Sequence, residues 1–460
     1  MKKCTLVVGG GIAGLFSAWL LKHRNPNREV MLLEAEPDCG GLLRSFNYGD
    51  MGRFDYGVHT LYETGVSRID EAILGTLPDQ EWQYLSGREK DLGASWLDGK
   101  YQFDTPYPVI SERADSDELI ADFLRHFGTS SDQPCSDAHG ELIRLYGPKI
   151  AKRLLIPAIA ERQNLPAEQV DVLALKVHGM GRIAALPLET VLKLAQITDF
   201  NSRIAFPNQR HSPQHMIADK RALYPKAGHL AHFTDRFVDR VKKLGVKVLN
   251  AASLRAVNLM GGQITSVVYD HAESGTQSVD VDLICWCAGI PSVAKALGMA
   301  HVLEEMTRPP TTVICNLLVD KEPKSGSVYY GYFHGKPIAN RFSFPANISR
   351  MQRQDGLTPI ALELLYQGGA DTSNSAQVTE EAFRSSGIIG PDTKIVFAKS
   401  EVLKAGYPSL SLANVSALKA TRDAIEDQNL SNLFLFGPMV RDDLFFQFDV
   451  LRHVEETLGA

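Results

Sequence analysis

The chain has 460 residues, 44% hydrophobic and 22% charged, an ordinary balance for a globular protein and enough length for two domains. Lys and Arg number 48 against 54 Asp and Glu, a formal net charge of −6 without a basic cluster, so nucleic acid is not an expected partner. The six cysteines are scattered and read as buried free thiols of a cytoplasmic protein. The first element is a short buried strand over residues 4–8, "CTLVV". Its apolar run reaches glycine after four residues, too soon for a secretory leader, and the next run, Leu15 to Leu21, is too short to span a bilayer. Between them lie Gly9, Gly11 and Gly14 in G-x-G-x-x-G spacing, followed by an apolar helix. In such a turn the first glycine permits a tight bend, the second lets a pyrophosphate approach the backbone, and the third lets helix and strand pack closely. The helix start then offers unsatisfied N–H groups to the anion.

"NPNRE" reads as a turn and "VMLLEAE" as a second strand that ends on Glu34, twenty residues beyond Gly14. An acid there accepts from both hydroxyls of an adenosine ribose and repels a 2′-phosphate, so the opening reads as a dinucleotide site. A plain nicotinamide domain would continue into a crossover helix and a third strand. This chain instead places a second glycine pair, Gly40-Gly41, with Arg44 just after it, and then "GRFDYGVHTLY" with Asp55, Gly57 and His59.

Taken together, "VVGGGIAGL", "VMLLEAEPDCGGLLRSF" and "GRFDYGVHTLY" resemble the FAD-binding head of the amine oxidase superfamily, the group of protoporphyrinogen oxidase, the carotenoid desaturases and UDP-galactopyranose mutase. The resemblance implies non-covalent FAD, with Glu34 on the adenosine ribose, Gly40, Gly41 and Arg44 bordering the pyrophosphate, and Gly57 and His59 passing the flavin ring. Leu42 stands where relatives carry an arginine, and Arg44 is the substitute.

Residues 76–220 hold a hairpin at "LDGKYQF", a Pro-rich turn, and amphipathic stretches such as "DELIADFLRHFG", similar to the helical lid of that superfamily. From residue 223, "LYPKAGHLAHFTDRFVDRVKKLGVKVLN" reads as a loop, a helix with Leu230, Phe233, Phe237, Val241 and Leu244 on one face, and a strand. A hairpin turning at Gly261-Gly262 follows; by the resemblance Leu254 packs on the adenine. Residues 310–400 carry four strand-like runs, read as an antiparallel sheet walling a substrate cavity. Their aromatics Tyr329, Tyr330, Tyr332, Phe333 and Phe342 read as one packed face of that sheet rather than a cage for an amine. "NLFLFGPMVRDDLFFQFDVLRHVEETL" resembles the closing flavin motif, with Gly437 approaching the cofactor. Pro438 replaces the arginine of mutase-like relatives, Arg441 is its candidate substitute, and Phe445 and Asp449 keep the aromatic and acid spacing.

The expected fold class is therefore α/β, with a Rossmann-like FAD-binding domain over 1–75, 221–305 and 405–460 interleaved with a mixed-sheet and helical substrate domain over 76–220 and 306–404. The expected function is an FAD-dependent oxidoreductase that removes hydride from a small-molecule C–N or C–C bond. The alternatives are a mutase-like non-redox flavoenzyme acting on a nucleotide sugar and a non-catalytic relative of the fold. Candidate catalytic residues are His59 and Arg341; no metal is expected, since no carboxylate or cysteine in the sequence neighbourhood completes a ligand set with His229 and His232.

Overall fold

The structure is a computed structural model that describes residues 4–459 apart from 91–92, 98–99, 103, 128–132, 213–218, 300–305, 308, 328, 333–338, 352, 367–370 and 404–408. The chain forms two compact units, one of residues 1–83, 223–306 and 416–460, the other of residues 84–222 and 307–415.

In the first unit, strand β1 (Cys4–Val8) is wholly buried and runs through the glycine turn into helix α1 (Ile12–Arg24). Strand β2 (Val30–Leu33), also fully buried, pairs parallel with β1. Helix α2 (Ala231–Lys243) leads into β3 (Val246–Leu249), which pairs parallel with β2. Leu230, Phe233, Phe237 and Val241 are completely buried, whereas Leu244 caps the end of α2 and is 39% exposed. The helical period overreaches by one residue there because the chain is already turning out into solvent.

Next comes a meander, β4 (Ala252–Met260), β5 (Gln263–His271) and β6 (Gly275–Trp286), with Gly261 and Gly262 both at positive φ in the tight turn between β4 and β5. Strand β6 serves two ladders. Its first half, through Asp280, pairs antiparallel with β5, and Val281–Trp286 pairs parallel with β1. Strand β7 (Leu433–Leu435) adds to the far side of β6, and helix α3 (Gln447–Gly459) ends the unit. The parallel order is thus β3-β2-β1-β6-β7, the doubly wound order of a dinucleotide-binding half, with its reversal between β1 and β6.

The second unit carries a seven-stranded sheet of strands 395–403, 311–319, 358–366, 339–343, 329–332, 93–97 and 100–102, in that spatial order. The pairings are antiparallel except that strand 329–332 runs parallel to 93–97, so the sheet is mixed. Phe342 is buried edge-on against Phe383 with ring centroids 4.8 Å apart, which makes it core; Phe333 lies outside the described residues. Helices Ser116–Phe127 and Ala138–Ile150 pack as a pair in the same unit, the second broken at Gly147 (φ 79°) ahead of Pro148.

Candidate functional site

The carboxyl ends of the five parallel strands fall on one register row: Leu249, Leu33, Val8, Trp286 and Leu435 are successive cross-strand partners. At about 4.8 Å per strand, that edge is about 19 Å long. Immediately beyond the row stand Asn250, Glu34, Gly9, Cys287 and Phe436. In open α/β sheets ligands bind at this edge, at the reversal of strand order, and the glycine turn sits there.

Gly9 has φ 98°, donates its N–H to the Leu33 carbonyl at 2.8 Å, and would drive a Cβ to 3.1 Å from the Cys287 backbone. A Cβ on Gly14 would lie 1.8 Å from the Gly9 carbonyl oxygen, so α1 can cross β1 at this distance only with glycine there. Gly11 differs: a Cβ on it would meet no protein atom within 4 Å, although it caps the N-terminus of α1. The side of Gly11 facing outward from the helix start is therefore open.

The second glycine pair docks on the first turn. Gly40 N–H donates to the Gly10 carbonyl at 2.8 Å, and a Cβ on Gly41 would stand 3.3 Å from Gly11 Cα. Arg44 folds onto the same place, donating through Nε to the Gly41 carbonyl at 3.0 Å, with its guanidinium 5.1 Å from the Tyr56 ring centroid and 3.8 Å from the Glu36 carboxylate. Glu34 lies at the end of β2; its Oε2 accepts from Gly10 N–H at 2.6 Å and its Oε1 from Glu36 N–H at 2.9 Å. Each oxygen keeps a second lone pair for an incoming hydroxyl. Cys39 packs over Gly10 and donates to Asn250 Oδ1; burial pushes its thiol up to about 12.

At the far end of the row, Gly437 has φ 139°, is buried, and is another position where a Cβ would meet no protein atom within 4 Å. Arg441, beyond it, is bound by the Asp443 carboxylate at 2.7 and 3.0 Å. Asp449 accepts the Phe446 N–H at 3.2 Å and so caps α3, a structural use of that acid. Leu254 packs partly buried against the core of this unit, two residues past Ala252, whose N–H bonds the Glu34 carbonyl at 2.8 Å. Gly57 is buried at φ 93° and His59, two residues on, is half-buried.

Arg341 lies in the second unit, on a strand where it stands directly opposite Glu363, and it is not an open surface cation. It donates to Glu363 Oε1 through Nε and Nη2 at 3.1 and 2.8 Å, and Glu363 is 4% exposed.

Three donors around Asp55 carry weight that motif spacing did not show. Asp55 Oδ1 accepts from Ser45 Oγ and from Leu230 N–H, both at 2.7 Å, and Oδ2 accepts from Tyr224 Oη at 2.5 Å. Ser45 Oγ in turn accepts from Ala231 N–H at 3.1 Å. Burial pushes the Asp55 carboxyl up to about 6, against the downward pull of its three donors. The partners lie 10, 169 and 175 residues away, beyond any local pattern.

The comparisons agree with this geometry. Residues 7–70 match the family model described as NAD(P)-binding Rossmann-like domain. Over its full length the chain superposes on reduced UDP-galactopyranose mutase with a TM-score of 0.77 at 14% identity, covering 94% of that chain. It also superposes on a provisionally named protoporphyrinogen oxidase from Exiguobacterium sp. 255-15 (TM-score 0.65, 14% identity, 100% of this chain and 98% of that one). The chain shares the fold of these two structures. It superposes as well on putrescine oxidase bound to putrescine, with a TM-score of 0.58 at 12% identity over all of this chain and 98% of the other. A curated relative, uncharacterized protein R188 of Acanthamoeba polyphaga mimivirus, is 42% identical over 45 residues, 10% of this chain and 9% of that protein. Among the described residues no helix is long and apolar enough to cross a membrane.

Proposed function

We propose that the chain is an FAD-dependent oxidoreductase that removes hydride from a C–N or C–C bond of a small molecule, with FAD held non-covalently along the carboxyl edge of the parallel sheet. The observation that carries this reading is the docking of the second glycine pair on the first turn, through Gly40 N–H on the Gly10 carbonyl. A nicotinamide domain needs one such turn. Here the backbone-lined surface continues past it, with Arg44 folded alongside. The residues fit the group: Gly11 and Gly437 are both places where a side chain would meet no protein atom.

When bound, FAD would supply the hydride acceptor. The chain's own part is holding and orienting. Gly11 and the start of α1 would receive the pyrophosphate, whose charge the helix N-terminus favours. Gly9 and Gly14 set the shape of that turn, and Glu34 would accept from the ribose hydroxyls. Gly40, Gly41 and Arg44 would border the phosphates, Leu254 the adenine, and Gly57, His59 and Gly437 the ring end. His59 is the residue assigned to orient the ring by hydrogen bonding. Arg341, neutralised by Glu363, is left out of the chemistry.

A second reading is favoured by the TM-score of 0.77 with the mutase: a non-redox reaction on a nucleotide sugar. Such a substrate needs cations for its diphosphate, and this chain has Pro438 and an Asp443-bound Arg441 in the terminal segment. One set of measurements separates the readings. Yellow protein that releases FAD on denaturation and bleaches anaerobically with amines or tetrapyrrole precursors supports the oxidoreductase. Binding of a UDP-sugar that strengthens only after dithionite reduction supports the mutase. A colourless chain that cannot take up FAD removes both.

A further inference from the structure

We infer that Asp55 is a positioning residue for the dinucleotide, acting from outside the site by holding the second glycine loop and the start of helix α2 in one fixed arrangement. This rests on the flavin reading above. Asp55 touches neither glycine turn, yet Ser45 adjoins a residue that borders the site and Leu230 begins the helix whose first turn meets Gly40. Ser45 follows Arg44, whose guanidinium lies on the Gly41 carbonyl. Leu230 and Ala231 supply the first N–H groups of α2, taken by Asp55 and by Ser45. Thr234, in the first turn of α2, stands where a Cβ on Gly40 would come within 3.1 Å. Gly57 lies two residues beyond Asp55 on the strap leading to His59. A single buried carboxylate thus sets the spacing of the glycine pair, the strap and the helix.

The donors specify the ionised form: two hydroxyls and one amide converge on two oxygens. On protonation Oδ2 must donate instead, and Tyr224 has a second acceptor at hand, the Gly228 carbonyl at 3.3 Å. The hydroxyl can swing there while the carboxyl donates to the tyrosine oxygen. The change is a reversed hydrogen bond at Oδ2, not an unfolded site. With the carboxyl at about 6, the exchange falls between about pH 5 and 7. The sign is informative. A folded carboxyl above its ordinary value binds its proton more tightly than the unfolded chain does, so acidification through pH 6 favours the fold at this group. Ligand retention is expected to move the other way.

The other titratable groups near these partners are accounted for. Burial pushes the Tyr224 hydroxyl well up, next to the Asp55 charge. At the start of α2, burial pushes His229 down to about 4, and His232 bonds Glu81. On the short strand Arg53–Asp55, which pairs antiparallel with Ser45–Asn47, Arg53 pairs with Asp235. His59, on the strap, is controlled for by the variant below.

The test is titration of the full-length, nucleotide-stripped chain with FAD from pH 5 to 8, followed by flavin fluorescence, with thermal unfolding of the stripped chain alone at each pH. The wild type is expected to lose about tenfold in affinity as pH falls through 6, the size of one charge-assisted hydrogen bond, with no matching fall in its melting temperature. Asp55→Asn should bind FAD at the weak, low-pH level throughout, with a flat profile; a profile that keeps its inflection overturns the inference. Tyr224→Phe removes one donor to the charged form, so its inflection should move to higher pH. An unmoved inflection also counts against Asp55, and this variant decides the matter if Asp55→Asn does not fold. Failure of the wild type to bind FAD at any pH would instead overturn the flavin reading.

Discussion

The parallel edge of the first unit and the seven-stranded sheet of the second handle charge in opposite ways. Along the parallel edge Gly11 and Gly437 present no side chain, and Glu34 keeps lone pairs beyond its two N–H bonds. In the second sheet Arg341 is taken up internally, by Glu363 directly across the ladder. A strand edge that offers polarity without side chains is suited to a ligand carrying its own charge. A ladder that cancels its charges in pairs is suited to holding its shape.

Several substitutions test that contrast. The largest effect is expected for Gly14→Val. Its side chain would collide with the Gly9 carbonyl, and loss of soluble, cooperatively melting protein is the expected outcome, at a cost of about 3 kcal/mol or more. Arg341→Met should come next, because it strands Glu363 at 4% exposure. The expected loss is about 3 kcal/mol in denaturant unfolding, recovered in part by adding Glu363→Leu. A stable Arg341→Met would show that the second sheet's charges are not structural.

Glu34→Arg belongs to the other region. It removes the acceptor for the Gly10 and Glu36 amides and should abolish FAD retention, read as flavin per chain after gel filtration. Full flavin content in that variant would detach Glu34 from the ribose. Gly11→Ala sharpens the comparison most. No protein atom opposes the new methyl, so the melting temperature of the stripped chain should hold, while FAD affinity should fall about tenfold, or about 1.4 kcal/mol. The smallest effect is expected for Asp449→Ala, about 1 kcal/mol through lost capping of α3, visible in thermal unfolding and without change in flavin content.

Much of the site's backbone was legible because its signals are local. Gly9, Gly11, Gly14 and Glu34 lie within 26 residues, and their spacing encodes a strand, a turn, a helix and the next strand. The register row was not legible, since β6 and β7 reach β1 from far along the chain and only pairing aligns Val8, Trp286 and Leu435. Arg341 read as a cation beside aromatics because its partner, Glu363, is a neighbour only across the ladder. Asp55 stood in view within "GRFDYG", but two of its three donors come from segments more than 160 residues away. Asp449 shows the converse: an acid at a suggestive spacing whose observed bond closes a helix end three residues back.

The late arrival of β6 and β7 has a consequence for synthesis. Strand β1 is buried along its whole length, yet its partner β6 is translated only some 270 residues later and β7 later still. A nascent chain leaving the ribosome therefore carries an apolar strand with one side unmatched for most of its elongation. Contacts this distant in sequence are slow to form. The amino-terminal hundred residues made alone should aggregate, and chaperone depletion should lower the yield of this protein more than that of one whose Rossmann-like half is contiguous.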